Sequence, residues 1–386
     1  MNFSEINFLH IADTHFGANY SRKIRNIRRK KYGELFFEKN EIVIKEAFEK
    51  HNVDFIIHSG DFFNRSKPPP EVVDRAVKPF SQIANKNVHV YIIPGNHERS
   101  KLPFGLLHYQ DNIHVFKKPT SFIFNKNGIK IQLTGFPYIR HNARDYINFF
   151  VKKACEASLK SNYHYSILVL HQLIEGSRVQ NYIFRKGHNI IPITSIPKTF
   201  SYIAGGHIHR FQFIYQTNDS NKPSNIISTN SCTSVKQNCW KRSYQLLTEK
   251  NRLVLVKDPI IAYPGSLERV SFMEREEPKG YIIGKLLYSD ELDEIFRAEY
   301  QFHQLNAINM IYEVWDLQIK SCEEYVDSLL EKLRRISLNK SSEILKLNGV
   351  VRVRIKGLNE SSSVELNRLK TESKKLAFYL TLSRLV

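Results

Sequence analysis

The pattern that most constrains this chain is an apolar run that stops abruptly on a side chain able to hold a cation. Its clearest instance is Phe55-Ile56-Ile57-His58-Ser59-Gly60-Asp61-Phe62-Phe63-Asn64, which reads as a buried strand delivering the Asp61 carboxylate to the rim of a sheet, where open α/β folds gather their ligands. The same ending returns along the chain. The run 6–12 stops at Asp13-Thr14-His15, 88–93 at Gly95-Asn96-His97-Glu98, 165–170 at His171, and 200–204 at Gly205-Gly206-His207-Ile208-His209. A Gly-Asp after a strand is by itself an ordinary turn signal, and a lone histidine there is commonly structural. The set carries the weight.

Asp13 and His15, one residue apart, project to one side of an extended segment. The same alternation aims His207 and His209 together, while the paired glycines before them permit close backbone approach. Between the ligand segments the spacing predicts helices over 35–50, with Leu35, Phe36, Val43, Ile44, Ala47 and Phe48 in register, and over 71–85 and 146–159. A hairpin turns at Asn125-Lys126-Asn127-Gly128. Strand, helix, strand, helix, strand implies parallel pairing with helices on the faces, an α/β architecture. The polar, lysine-rich stretch 217–258 reads as an insertion with one strand at 252–256, and a strand over 280–287 closes a first domain, 1–287. Strands at 308–319, 350–355 and 377–382 with helices at 323–336 and 364–375 make residues 288–386 a small α+β domain. It carries no ligand cluster, so recognition is its expected task.

With 386 residues there is room for two domains, and 42% hydrophobic with 25% charged residues is ordinary for a soluble globular protein. The formal charge of +19 points to an anionic partner such as a phosphate polymer; a lysine- and asparagine-rich coding bias is the plain alternative. Arg22, Lys23, Arg25, Arg28, Arg29 and Lys30 form the densest basic run, a candidate phosphate-contacting surface or else a solvated helix face. Cys155, Cys232, Cys239 and Cys322 lack the close spacing of zinc or redox motifs. The start of the chain has neither a basic n-region nor a long apolar segment, and no run approaches the ~18 apolar residues of a membrane span, so a cytoplasmic protein is expected.

The collected groups, Asp13, His15, Asp61, Asn96, His97, His171, His207 and His209, suit a two-metal phosphoesterase, in which ions about 3.5–4 Å apart neutralise phosphoryl oxygens and activate water. Oxygen and imidazole donors fit manganese, iron or zinc, with magnesium possible. The series Asp13-Thr14-His15, Gly60-Asp61, Gly95-Asn96-His97-Glu98, His171 and Gly206-His207-Ile208-His209 resembles the calcineurin-like metallophosphoesterases. Tyr263-Pro264-Gly265-Ser266-Leu267-Glu268-Arg269, continuing through Ser271-Phe272 to Lys279-Gly280-Tyr281, is similar to the SbcD-type double-strand-break repair nucleases, and Val350-Val351-Arg352-Val353-Arg354 to their capping domain.

The resemblance implies a β-sandwich flanked by helices, with a small C-terminal cap. It implies that Asp13, His15, Asp61 and His209 hold one manganese ion, that Asp61, Asn96, His171 and His207 hold the other, and that His97 protonates the leaving oxygen or stabilises the transition state. It further implies 3' to 5' exonuclease action on duplex ends, endonuclease action on single strands, a homodimer, and an SbcC-type ATPase partner. Asn64 stands where several members carry a second histidine, the stretch 217–258 is longer than the usual connection, and helices that grip the ATPase are not evident before Val386. A phosphatase or cyclic-nucleotide phosphodiesterase on the same site, and a DNA-end-binding scaffold with a vestigial site, are the alternatives.

Overall fold

The computed structural model describes residues 3–18, 26–99, 102, 110–156, 162–216, 226–229, 234–238, 243–247, 253–338, 348–360 and 362–385. It divides into two compact units. The first gathers the described residues of Met1–Ala18, Phe36–Leu267 and Pro278–Leu305; the second gathers those of Asn19–Leu35, Glu268–Glu277 and Asn306–Val386.

In the first unit, β1 (Phe3–Ile11), β2 (Phe55–His58), β3 (His89–Ile92) and β4 (Ile113–Val115) pair in parallel. The crossovers between β1, β2 and β3 are α1 (Asn26–Glu49) and α2 (Pro70–Ala84). The hairpin β5 (Thr120–Lys126) and β6 (Ile129–Gly135) follows, then α3 (Ala143–Cys155) and β7 (Tyr165–His171), which runs parallel to β6. Two short pairs decorate the next loop, β8 (Leu173–Ile174) with β11 (Ile190–Ile191) and β9 (Arg178–Val179) with β10 (Tyr182–Ile183). β12 (Tyr202–Gly206) lies parallel to β7, and β13 (Gln212–Gln216) follows it.

Side-chain alternation turns these strands into a sandwich. Ile6, Phe8, Phe55 and Ile57 from one half meet Ile131, Leu133, Ile167, Val169, Tyr202 and Ala204 from the other in one buried core. The opposite faces, Leu9, Ile11 and Ile56 on one side and Leu168, Leu170 and Ile203 on the other, pack under Val43, Ala47, Val73 and Phe80 and under Ile147 and Val151 respectively. Strands buried on both faces read as unbroken apolar runs, and each such side chain contributes about 1.5–3 kcal/mol.

The described parts of 217–258 are built into the sheet. β14 (Ile226–Thr229) pairs with β13, β15 (Ser234–Asn238) with β16 (Ser243–Leu247), and β16 with β17 (Leu253–Tyr263). β15 also pairs with β19 (Glu294–Leu305), which forms a hairpin with β18 (Lys279–Ser289), itself antiparallel to β1. The expected excursion is therefore the bridge that joins the two halves into one 15-stranded sheet. Alternation is weak there, and pairing across more than fifty positions is not visible locally. The expected boundary at 287/288 falls inside the β18–β19 hairpin, and the first unit runs to Leu305.

In the second unit β20 (Asn309–Asp316), β21 (Gly349–Lys356) and β22 (Phe378–Arg384) are parallel, with α4 (Cys322–Leu338) and α5 (Ser362–Lys375) as crossovers. Val326, Leu329, Leu330 and Leu333 of α4 and Leu366 and Leu369 of α5 cover one face of that sheet. Among the described residues no helix is long and apolar enough to cross a membrane.

Candidate metal centre

The ligand segments meet at the carboxyl ends of β1, β2, β3, β7 and β12. The loops after β1 and β2 are laced by backbone hydrogen bonds: Asp13 N donates to Gly60 O at 2.9 Å, His15 N to Asp61 O at 3.0 Å, Phe16 N to Phe62 O at 2.9 Å and Asn64 N to Phe16 O at 3.0 Å. Asp13, His15, Asp61 and His207 all hold left-handed backbone, with φ of 51°, 46°, 52° and 90°. Such conformations cost non-glycine residues on the order of 1 kcal/mol or more each and persist where the surroundings enforce them. They replace the extended geometry expected for Asp13-Thr14-His15: the two side chains meet because the backbone turns at each of them.

Two groups form around Asp61. Asp13, His15, Asp61 and His209 each offer an atom within 4.8 Å of the others, as do Asp61, His171 and His207. In the first, His15 Nε2 stands 2.9 Å from His209 Nε2 and 3.8 Å from Asp61 Oδ2, and His209 Nε2 is 3.8 Å from Asp13 Oδ1. In the second, His171 Nε2 lies 3.4 Å from Asp61 Oδ2 and 3.0 Å from Asn96 Oδ1, which is 2.8 Å from His207 Nδ1. His207 and His209 thus serve different groups rather than pointing together. Donor atoms about 2.0–2.2 Å from a shared ion stand roughly 3–3.6 Å apart, so these separations and the carboxylate, imidazole and amide donor set fit two cations sharing Asp61.

Close approach is built from glycine. A Cβ on Gly60 would fall 2.2 Å from His171 Nδ1, one on Gly95 would fall 2.1 Å from Asp61 Oδ1, and one on Gly206 would fall 1.9 Å from Ser59 O. The outer partners are equally fixed. His171 Nδ1 donates to Ser59 O at 2.8 Å, which turns Nε2 toward the centre. His207 N reaches Asp13 Oδ1 and Oδ2 at 3.2 Å. Glu98, buried, accepts from Phe63 N at 2.5 Å with Oε1 and from Gly95 N at 2.8 Å with Oε2, bracing two ligand loops at once.

Burial and neighbouring charge set the protonation. Burial pushes the Asp13 carboxyl up to about 6, against His209 and His171. Burial also opposes charge on Asp61, yet His171, with His15 and His97, holds that carboxyl well below the usual range. His171 is buried too, and the Asp61 carboxylate raises it to about 9. Burial lowers His207 to about 3; burial and the charge of Asp61 raise Glu98 to about 8. A cation bound beside Asp61 would compete with the proton that this carboxylate favours on His171.

His97 stands at the open side. Its Nε2 is 3.8 Å from Asp61 Oδ2, its side chain is 39% exposed, and Nδ1 donates to Asn64 O at 3.0 Å. Asn64 thus orients His97 through its carbonyl, which any residue there could supply. Arg22, Lys23 and Arg25 lie outside the described residues, and Arg28, Arg29 and Lys30 fall within α1. Two residues escaped the sequence reading: Glu98, legible only as an acid adjoining the ligand pair, and Tyr138, past β6, whose ring centroid is 5.6 Å from that of His207 and 6.0 Å from that of His171.

Curated relatives are similar to part of this chain in sequence. The DNA double-strand break repair protein Mre11 of Methanococcus maripaludis is 29% identical over 237 residues, covering 60% of this chain and 58% of its own. Those of Methanocaldococcus jannaschii and Saccharolobus solfataricus are 32% identical over 208 residues and 29% over 209, each covering 53% of this chain and 51% and 49% of their own. The chain spans about half the length of the curated relatives it matches. The calcineurin-like phosphoesterase profile matches residues 6–211, which contain every ligand segment of the two groups and more than half of the sequence, and the chain belongs to that family.

Proposed function

We propose that this chain is a two-metal nuclease that hydrolyses phosphodiester bonds of DNA in double-strand-break repair. The observation that carries the reading is the pair of ligand groups sharing Asp61. Two cations held there, manganese in the first instance, would supply charge neutralisation at the phosphoryl oxygens and an activated water. The chain's own part is to fix the donors and to move a proton. With Nδ1–H committed to Asn64 O, His97 presents Nε2 on the open side, where it gives a proton to the leaving oxygen or stabilises the charge that develops there. Tyr138 walls the His171–His207 side.

DNA as substrate is supported by the relatives named above and by the formal charge of +19. The second unit fits the role of a capping, recognition domain. On the sheet face opposite its helices, Arg352 and Arg354 lie with Tyr312, Thr381 and Ser383 along a groove of about 410 Å³, whose lining also includes Arg384 near the end of β22. Arg352 also sits 4.5 Å over the Phe272 ring, and among the described residues none of the three guanidinium groups has a carboxylate at ion-pair distance. A 3' to 5' exonuclease on duplex ends that also cuts single strands, working as a homodimer with an SbcC-type ATPase, is the fuller form of the proposal.

The test is cleavage of an end-labelled linear duplex and a single-stranded circle with manganese, magnesium or chelator. Manganese-dependent cutting that disappears in Asp61→Ala supports the proposal, and the product ladder gives the polarity. Hydrolysis of a small phosphodiester with DNA left intact would reduce it to a phosphoesterase. Salt-sensitive DNA binding that survives Asp61→Ala, with no turnover by the unmutated protein, would make it a scaffold.

A further inference from the structure

The stretch from Tyr263 to Lys279, conspicuous in the sequence, has no ligand in either group. It underlies the loop that carries His207 and His209. That loop leaves β12, passes the end of β17 and returns as β13, and both strands pair with β17. Just past β17 the chain turns at Gly265, φ 77°, where a Cβ would lie 2.8 Å from His209 O and 2.9 Å from Phe211 N. Ser266 and Lys279, both fully buried, meet under the same carbonyl. Lys279 Nζ donates to His209 O at 2.8 Å and to Ser266 Oγ at 2.8 Å. Tyr263, also buried, donates its hydroxyl to Gln172 O at 2.8 Å and accepts from Ile174 N at 3.2 Å, which fixes the backbone just past His171.

A fully buried lysine is rare, because desolvating the ammonium is expensive, and a neutral side chain of similar length would fill the space at less cost. What the ammonium adds is a charge-assisted, directional hydrogen bond to the main chain of a cation ligand. We propose that Lys279, seated by Ser266, is a positioning residue for the group formed by Asp13, His15, Asp61 and His209: it holds the His209 carbonyl and thereby sets where the imidazole stands. This rests on the two-metal reading. Partners of this kind typically govern metal affinity by about 10–100-fold. Because Lys279 bonds the main chain of His209, a member of that group, its effect is expected at that cation first.

The experiment is a calorimetric titration of the full chain with manganese alone, comparing the unmutated protein with Lys279→Met and Ser266→Ala, each also in an Asp13→Ala and an Asn96→Ala background. Thermal unfolding in chelator is recorded for every variant. Lys279→Met is expected to weaken one of two binding events by about 10–100-fold and leave the other unchanged. That loss should vanish in the Asp13→Ala background, where the group is already broken, and persist with Asn96→Ala. Ser266→Ala gives a smaller loss at the same event and decides the question alone if Lys279→Met does not fold. Equal weakening of both events alongside a lowered unfolding temperature, or two events unchanged in both variants, would overturn the assignment. An unmutated chain that takes up no manganese would instead remove the two-metal reading itself.

Discussion

Gly206→Ala is the sharpest single perturbation of the centre. The added Cβ would stand 1.9 Å from Ser59 O and 2.8 Å from His171 Nδ1, whereas real Cβ contacts essentially never fall below 3.0 Å, so the backbone must open by about 1.1 Å. No flexible side-chain end can absorb this. Gly206 precedes His207 and is paired with His171 across β12 and β7, so the movement separates two donors of the second group. A misplacement of about 1 Å costs on the order of 100-fold in rate, and strain of this kind costs about 1–3 kcal/mol of stability. The assay is kcat on a small phosphodiester with saturating manganese, alongside thermal unfolding. A variant that folds and turns over within a few-fold of the unmutated protein would refute the claim that glycine at 206 is required by the approach of the two strands.

Further outcomes follow from the same geometry. In chelator, stability should peak near pH 6.5. Above it the native state keeps protons on His171 (about 9) and Glu98 (about 8) that the unfolded chain has lost, so stability falls as pH rises, by about 3 kcal/mol per unit while both groups contribute. Below it, buried neutral His10, His58 and His207 (each about 3) oppose folding as the unfolded chain takes up protons, partly offset by Asp13. Calorimetric midpoints across pH 5–9 check this, and manganese should flatten the alkaline limb. His97→Ala should lower cleavage by about 100-fold or more while manganese uptake changes little, because His97 N still reaches Asp61 Oδ1. Arg352→Glu with Arg354→Glu should weaken DNA binding and reduce its salt slope by about 2, leaving small-ester turnover intact.

The residues that meet in the two groups were legible because each sits where a buried strand ends, and a run such as Phe55-Ile56-Ile57 announces that position without knowledge of the fold. Their division between two groups was not readable from alternation. Asp13, His15, Asp61 and His207 adopt left-handed backbone imposed by neighbouring loops, and no local pattern encodes that. Helices with a clear apolar face, such as α2, came out nearly residue for residue. β15 and β16 did not: β15 takes one partner, β19, from more than fifty positions away, and the composition of both strands is that of a loop. Glu98 and Lys279 stood within quoted motifs, but their roles were not readable, for a related reason. A charged residue in sequence looks solvated, and only the finished fold shows Glu98 accepting two buried N–H groups and Lys279 donating to a ligand's carbonyl.

The measurement that bears most directly on the central claim is an anomalous-difference map from crystals grown with manganese, for the unmutated chain and for Asp61→Asn. The account predicts two peaks about 3.5–4 Å apart, one among Asp13, His15 and His209 and one among Asn96, His171 and His207, with Asp61 between them and at least one peak lost in the variant. A single peak, or two peaks that persist unchanged without the Asp61 carboxylate, would contradict it.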